Sequence, residues 1–590
     1  MRINLKIVSK LLIGYQPYIF SFLALVALVL GFYGFSTPPP PDGPYGFWDA
    51  LYNTLALAVV VWEPGIYDPT PWSLNIARFL APTLTGYALF RGTMFLLAGA
   101  HETMRRRRIK KHIIVCGIGK RGRFLAISRS KETAVVAIDS DPSPEVVTAC
   151  ANNEISLVEG NASDPTVLLE AGIGRASEVF VFTGNDNKNL EIIHAIRKIR
   201  TDSENGEHLY PLECYLSIKD LYLRDLIPVH EKFIDDAGNM QITPFNDHKN
   251  VARNLWNLML EKAKSSGLCL PLLPDHSKRA HLLLIGYNPE GQAIAMEFGQ
   301  QGHFANGRTS KMTIIDENLG DPENPKAENI FSTPLRRLAK TLDLELIRSV
   351  PDSEIVRNII MAAASDPESL TSIVSCGKDD TESLTLALHI NDLLRQTGHK
   401  NIPVFVRLTD SIGLSEFLDH ENNHDEVLVN VFGFGLFEQT FSVESIHSLT
   451  LNRIAMAIHA HYQNDGHSHS DQEALQSWNQ LPEYLKEANR VAAEHLRLKL
   501  ATVLKAEGET EENLELLFEK HIDSLSKMEH NRWMAEKILQ GWIYGETTNK
   551  QTFTHKNIVG WDDLSEEDKE KDRTQVRATT KLLKAADLDS

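Results

Sequence analysis

The chain has 590 residues, 43% of them hydrophobic and 23% charged, which suits several soluble cores and excludes a disordered, collagen-like or wholly membrane-embedded protein. The net charge of −18 is unevenly placed: residues 1–112 hold 11 Lys/Arg against 5 Asp/Glu, so the remainder is strongly acidic and no nucleic-acid partner is expected. Five scattered cysteines without a CxxC pair exclude a disulfide scaffold and a cysteine zinc site.

The N-terminal piece, residues 1–111, reads as a hairpin in a lipid bilayer. Two apolar spans are expected, at about 18–36 and 74–100, the second interrupted by Arg78 and Arg91. Basic residues flank both on one side: Arg2, Lys6 and Lys10 before the first, and Arg105 to Arg108, Lys110 and Lys111 after the second. The positive-inside rule then puts both termini and the soluble domains in the cytoplasm of a cell bounded by the inner or plasma membrane. Between the spans, residues 47–63 hold an apolar run too short to cross but long enough to re-enter the bilayer. Span, re-entrant segment and span resemble the pore of two-span potassium channels, with FWDALY at Phe47–Tyr52 as the start of a pore helix. By that resemblance Val59, Val60, Val61, Trp62, Glu63 and Arg91 are candidate pore residues. The TVGYG-type filter is missing, so potassium selectivity does not carry over. An interfacial segment in a non-conducting anchor is the competing reading.

A buried strand, HIIVC, leads directly into Gly117-Ile118-Gly119-Lys120-Arg121-Gly122, and a second strand ends in Asp139. Strand, GxGxxG, helix, strand and acid at this spacing form a dinucleotide fingerprint. Gly117 permits the tight turn, Gly119 lets a pyrophosphate approach, and Gly122 allows the helix to pack closely. Asp139 is placed to accept from a ribose hydroxyl. Downstream, Gly160–Asp164 and VFVFTGNDNKNL at Val179–Leu190 resemble the RCK domain, also called TrkA-N or KTN, the nucleotide-binding regulatory module of potassium channels and transport systems. That resemblance covers residues 112–237 within a domain set at 112–265 with its trailing helix. It implies that Asp164, Thr183, Gly184, Asp186 and Asn189 border a site for NAD(H) or an adenine nucleotide (ATP or ADP), beside Lys120 and Arg121. No His/Asp or Tyr/Lys constellation for hydride transfer accompanies it, so no enzyme is expected.

The same order recurs over residues 279–465. HLLLI precedes Gly286-Tyr287-Asn288-Pro289-Glu290-Gly291, a strand ends in Asp316, and SIVSCGKDDTESL and PVFVRLTD mirror VFVFTGNDNKNL and ECYLSIKD. Asn288 replaces the second glycine, so this copy is expected to be a structural partner with weak or no dinucleotide binding.

His459, His461, His467 and His469 precede or fall within a linker set at 466–476 and read as polar linker residues, with a metal site as the alternative. From 477 to 590 the chain turns helical. HNRW at His530–Trp533, GWIYG at Gly541–Gly545 and WDDL at Trp561–Leu564 resemble the RyR domain of ryanodine receptors and many bacterial proteins. Glu529, His530, Arg532, Trp533, Trp542, Tyr544 and Trp561 are ligand candidates, and the core of a small helical domain is the alternative. The expected fold is therefore multidomain: a two-helix transmembrane hairpin with a re-entrant segment, two tandem Rossmann-like α/β RCK domains and a mainly α RyR-type domain. The expected function is a nucleotide-gated ion channel or channel-like transport protein, a homo-oligomer and most simply a tetramer, with a non-conducting membrane-anchored sensor as the alternative.

Overall fold

The computed structural model describes residues 5–37, 45–60, 70–202, 210–220, 239–262, 270–319, 332–409, 428, 430–442, 445, 449–464, 475–478, 480–506 and 514–585. They divide into two compact units, 1–108 and 109–590.

The first unit is helical: α1 (Leu5–Ser36), α2 (Phe47–Ala56) and α3 (Trp72–Arg108). Glycines on α1 let the other helices close in, since a Cβ at Gly31 would meet Thr54 at 2.7 Å and one at Gly34 would meet Leu74 at 2.5 Å. Phe35, Ala50, Leu57, Leu74 and Ala77 form the small core. Among the described residues one segment, Tyr18–Ser36 of α1, is long and apolar enough to cross a bilayer, with mean hydropathy 2.2. The second expected span lies within α3, which does not reach that measure among the described residues. A 3₁₀ turn, Leu57–Val59, follows α2 and ends on Val60 at φ 64°, so the helix stops there; Val61, Trp62 and Glu63 lie outside the described residues.

The second unit contains two parallel sheets. The first is built from β1 (Ile113–Cys116), α4 (Lys120–Ser130), β2 (Val135–Asp139), α5 (Pro144–Asn152), β3 (Ser156–Glu159), α6 (Pro165–Glu170), β4 (Glu178–Val181), α7 (Asp186–Asp202), β5 (Leu212–Ser217) and β6 (Met240–Phe245), and its strands run in the order β3-β2-β1-β4-β5-β6. Its central strand β1 is buried throughout, as a strand covered on both faces must be. Ile113 registers with Val135 on one side and Glu178 on the other.

After α8 (Asp247–Lys262) the pattern repeats with β7 (Arg279–Ile285), α9 (Pro289–Gln301), β8 (Lys311–Ile315), α10 (Ser332–Leu338), β9 (Asp343–Ile347), α11 (Glu354–Ser365), β10 (Ser369–Ser375), α12 (Asp380–Gln396), β11 (Val404–Arg407) and β12 (Val431–Phe434). The order β12-β11-β10-β7-β8-β9 is the first sheet's order again, as expected of a tandem duplication.

The repeats exchange the helices that follow their sixth strands. Val251, Ala252, Leu255, Trp256 and Met259 of α8 lie in the second repeat's core with Leu282, Ala293 and Phe298. In return the short α13 (Phe437–Thr440), which follows β12, packs back on the first repeat: Phe437 stacks on Phe124 at 6.4 Å, and the adjoining Phe441 meets Phe182 at 6.0 Å.

The C-terminal helices are α14 (Leu449–Asn464), α15 (Glu483–Ala506), α16 (Leu514–Lys520), α17 (Ile522–Leu539) and α18 (Glu566–Ala585), with a small pair β13 (Ile543–Tyr544) and β14 (Thr554–His555). Leu498, Val503, Phe518, Leu525, Met528 and Val576 belong to the same apolar cluster as α8 and α9. This bundle is therefore continuous with the second repeat's core. Trp256, 3% exposed, is where the exchanged helix fills that core, so Trp256→Ala is expected to cost about 3–5 kcal/mol in urea denaturation followed by circular dichroism. A loss under about 1 kcal/mol would show that α8 is not part of that core.

Candidate functional site

At the first glycine loop the backbone does what the fingerprint requires. Gly117 has φ +91°, and a Cβ there would lie 2.8 Å from the Phe182 carbonyl oxygen. A Cβ at Gly122 would sit 2.0 Å from the Gly117 oxygen, so only glycine lets α4 start against the strand. Gly119 is different: it caps α4 with ordinary extended backbone, no side chain receives the helix's first N–H groups, and a Cβ there would meet nothing within 4 Å. Those N–H groups at the positive end of the helix dipole face an open approach suited to a phosphate.

Asp139 closes the other side. Its Oδ2 accepts from the Ile118 N–H at 2.7 Å and its Oδ1 from the Asp141 N–H at 3.0 Å, so the carboxylate is fixed to the loop and keeps lone pairs for a ribose hydroxyl. The β4 end is braced internally. Asn189, 1% exposed, accepts from the Thr183 N–H (3.0 Å) and hydroxyl (2.6 Å) and donates to the Ser217 carbonyl (2.8 Å). Asp186 accepts from the N–H groups of Lys219 (3.0 Å) and Asp220 (3.1 Å). Asn189 and Asp186 therefore hold together the loops that follow β4 and β5. Gly184, at φ +79°, makes the turn between β4 and α7. Asp164 is an exposed cap of α6; its hydrogen bonds from the Thr166 N–H and hydroxyl hold the carboxyl below its ordinary range. Lys120 is exposed, whereas Arg121 pairs with Asp247 at the start of α8, 2.7 Å away. Sequence reasoning gave Arg121 a ligand role and missed Asp247, whose only signal was an acid opening the trailing helix.

The second loop repeats this frame and closes it. Asp316 accepts from the Tyr287 N–H at 2.7 Å and the Asn318 N–H at 2.7 Å, the same pattern as Asp139. Asn288, however, caps its own helix: its Oδ1 accepts from the Gly291 N–H at 2.9 Å, and its Nδ2 donates to the carbonyls of Cys376 (3.1 Å) and Gly377 (2.9 Å). The amide occupies the place where a phosphate would meet the helix N-terminus. Glu290, the next-to-last residue of the motif, lies 3.0 Å from Arg407 and 3.1 Å from His248. Burial raises its pKa, but His248 and Arg407 outweigh that and hold it down to about 2.

In the C-terminal bundle the charged ligand candidates are internal. Glu529 and Arg532, 1% and 2% exposed, bond each other at 2.9 Å; Glu529 also takes Lys499 at 2.5 Å, and Arg532 takes Glu536 at 2.7 Å. Burial would raise the Glu529 carboxyl, but Arg532 and Lys499 hold it well below the usual range. His530 lies 2.8 Å from the Val559 carbonyl oxygen and 3.5 Å from Asp572. These residues join α15, α17 and α18. The aromatic candidates divide: Trp561 is buried, Trp533 and Trp542 are half-buried around His555 at 4.9 and 6.2 Å, and Tyr544 is exposed. His459 lies 2.8 Å from the Gln476 carbonyl oxygen; His467 and His469 lie outside the described residues. Arg91 is exposed on α3, with Nη1 3.4 Å from the Tyr87 hydroxyl.

Residues 113–205 match the TrkA-N domain, and residues 510–589 match the RyR domain. The chain thus contains a TrkA-N domain, the RCK-type module, and a RyR domain. An uncharacterized protein of Methanothermus fervidus is 26% identical over 159 residues, which cover 25% of each chain, so this chain spans about a quarter of that relative's length. Three similar solved structures are the GsuK channel (15% identity, TM-score 0.36, 75% of this chain and 97% of that one), GsuK bound to ADP (16%, 0.35, 75% and 97%) and the GsuK channel bound to NAD (13%, 0.36, 75% and 85%). At these scores the fold assignment rests on the strand order and the two domain matches.

Two predictions follow from the geometry. Gly119→Ala should leave the fold intact and weaken nucleotide binding in calorimetry about tenfold or more, whereas Gly122→Ala should unfold the loop and abolish binding. Equal, mild effects would contradict the assignment of the open position. Burial also lowers the pKa of His281 and His495 to about 4 each. The unfolded chain then binds more protons than the folded one between about pH 6.5 and 4, so stability is full above that window and is lost as the pH falls through it. Denaturation midpoints should drop between pH 7 and 4.5, less steeply in His495→Gln; a flat profile would contradict the buried neutral histidines.

Proposed function

We propose that the chain is a membrane-anchored, nucleotide-regulated channel-like protein in which the first repeat binds the ligand and the second does not. The observation that carries this reading is the contrast between the two loops: α4 opens on an uncapped N-terminus beside Asp139, and α9 is capped by Asn288. NAD(H) or an adenine nucleotide suits a site with an anion-binding helix end and a ribose-accepting carboxylate. The role is regulatory rather than enzymatic, because the groups that edge the cleft are committed to bracing it.

The membrane part of the proposal rests on the first unit. Its helices expose Tyr18, Phe22, Leu25, Val29, Phe79, Leu89 and Phe90, an apolar surface suited to lipid or to other copies of the same hairpin. We take α1 and α3 as the two spans, with the domains from residue 109 onward in the cytoplasm, and α2 as the re-entrant segment of a homo-oligomeric pore, most simply a tetramer. The RyR domain then serves as a second sensor. One sequence feature favours the alternative of a non-conducting anchored sensor: Val59-Val60-Val61-Trp62-Glu63-Pro64-Gly65 stands where a filter strand would.

Flux through the purified protein in liposomes separates the two. With potassium, sodium or a large organic cation inside, NAD⁺, NADH, ATP or ADP should change the flux, and Asp139→Ala should shift the effective nucleotide concentration about tenfold or more. Nucleotide binding without flux under any condition would contradict the channel and leave the anchored sensor.

A further inference from the structure

Both glycine loops grip the first turn of one helix, and they do so with the same motif position. Arg121 and Glu290 are each the residue before the last glycine of their GxGxxG-type loops. Arg121 pairs with Asp247 at 2.7 Å, and Glu290 lies 3.1 Å from His248. Asp247 and His248 are the first two residues of α8, buried at 4% and 5% exposure. The grip continues into the second repeat, where Glu290 meets Arg407 at 3.0 Å and Arg407 meets Asp380 at 3.1 Å.

The same helix is tied to the C-terminal bundle within its first two turns. Lys249 meets Glu487 of α15 at 2.6 Å, and Arg253 meets Glu487 at 2.8 Å and Glu494 at 2.5 Å. Arg490 of α15 also reaches Glu487, at 3.2 Å. All of these side chains are at least four-fifths buried, so each pair is poorly screened and removing one partner strands the other. Asp247 shows this most clearly. Its Oδ2 takes Arg121, and its Oδ1 has no hydrogen-bond partner among the described residues, so Arg121 is its main stabilising charge.

We propose that α8 couples the first glycine loop to the RyR-type bundle, with Arg121 as the positioning residue shared between Asp247 and a phosphate bound at the α4 N-terminus. The ligand half of this proposal rests on the nucleotide reading above. A phosphate that draws Arg121 away leaves Asp247 buried and uncompensated, and α8 must adjust. Because Lys249 and Arg253 are seated on Glu487 and Glu494, the adjustment reaches α15. Linkage then requires the converse: a change in how α15 seats α8 alters nucleotide affinity by the same factor.

Hydrogen exchange on the full-length protein in nanodiscs tests both halves. Without nucleotide, Arg121→Ala should speed exchange about tenfold at 247–253 and also at 487–494, which Arg121 does not touch, and Arg121→Lys should restore it. Unchanged exchange at 487–494 would overturn the coupling. ADP or NAD⁺, with binding measured separately by calorimetry, should alter exchange at 487–494 in the unsubstituted protein and not in Asp247→Asn. Binding without that change would overturn the role of Arg121. If neither nucleotide binds, the nucleotide reading fails while the ligand-free comparison still decides the coupling.

Discussion

Helix α8 follows the first sheet in sequence yet buries its apolar face in the second repeat, and most of the architecture from residue 109 onward depends on that crossing. Val251, Leu255, Trp256 and Met259 cannot be removed from the second core without opening it. The return packing of Phe437 and Phe441 on the first repeat makes the exchange mutual. Two Rossmann-like units that might have moved independently therefore share their cores. The RyR-type bundle joins the same apolar cluster, so a change in one module is felt as packing and charge in the others.

Within that frame, one substitution decides which loop keeps an open helix end. Both loops fix an acidic residue against the backbone N–H that follows the first glycine, at 2.7 Å in each. Both need glycine at the first and last motif positions, where a Cβ would strike backbone. They differ at the middle one. Gly119 leaves the helix end uncapped, while Asn288 brings its own acceptor and satisfies the first-turn N–H that a phosphate would use. Duplication followed by self-capping yields one loop with an open helix end and one closed by its own amide from the same chain plan.

The strand–loop–helix–strand order of both repeats, the acids Asp139 and Asp316 and the replacement of the middle glycine by Asn288 were legible in the sequence because each is local. Glycine spacing and strand length report directly on backbone geometry. Long-range pairing was not legible. Arg121 is legible as part of the glycine loop, but its ion pair with Asp247, far along the chain, is not. Glu529, His530 and Arg532 read as a polar cluster on an aromatic surface; Glu536 lies one helical turn from Arg532, but Lys499 on α15 is a partner that no local spacing identifies. Nor does any spacing identify His555 as the neighbour of Trp533 and Trp542. In the first unit, Tyr18–Ser36 has the length and hydropathy expected of a span, whereas the second expected span, within α3, does not reach that measure among the described residues.

The account's central claim is that one loop per chain is open and the other is closed by its own side chain. Equilibrium dialysis of the purified full-length protein against radiolabelled ADP and NAD⁺ counts the sites directly. The account predicts saturation at one nucleotide per chain, with affinity weakened about tenfold or more in Gly119→Ala and unchanged by substitution of Tyr287. Two nucleotides per chain, or one bound with unchanged affinity in Gly119→Ala, would contradict it.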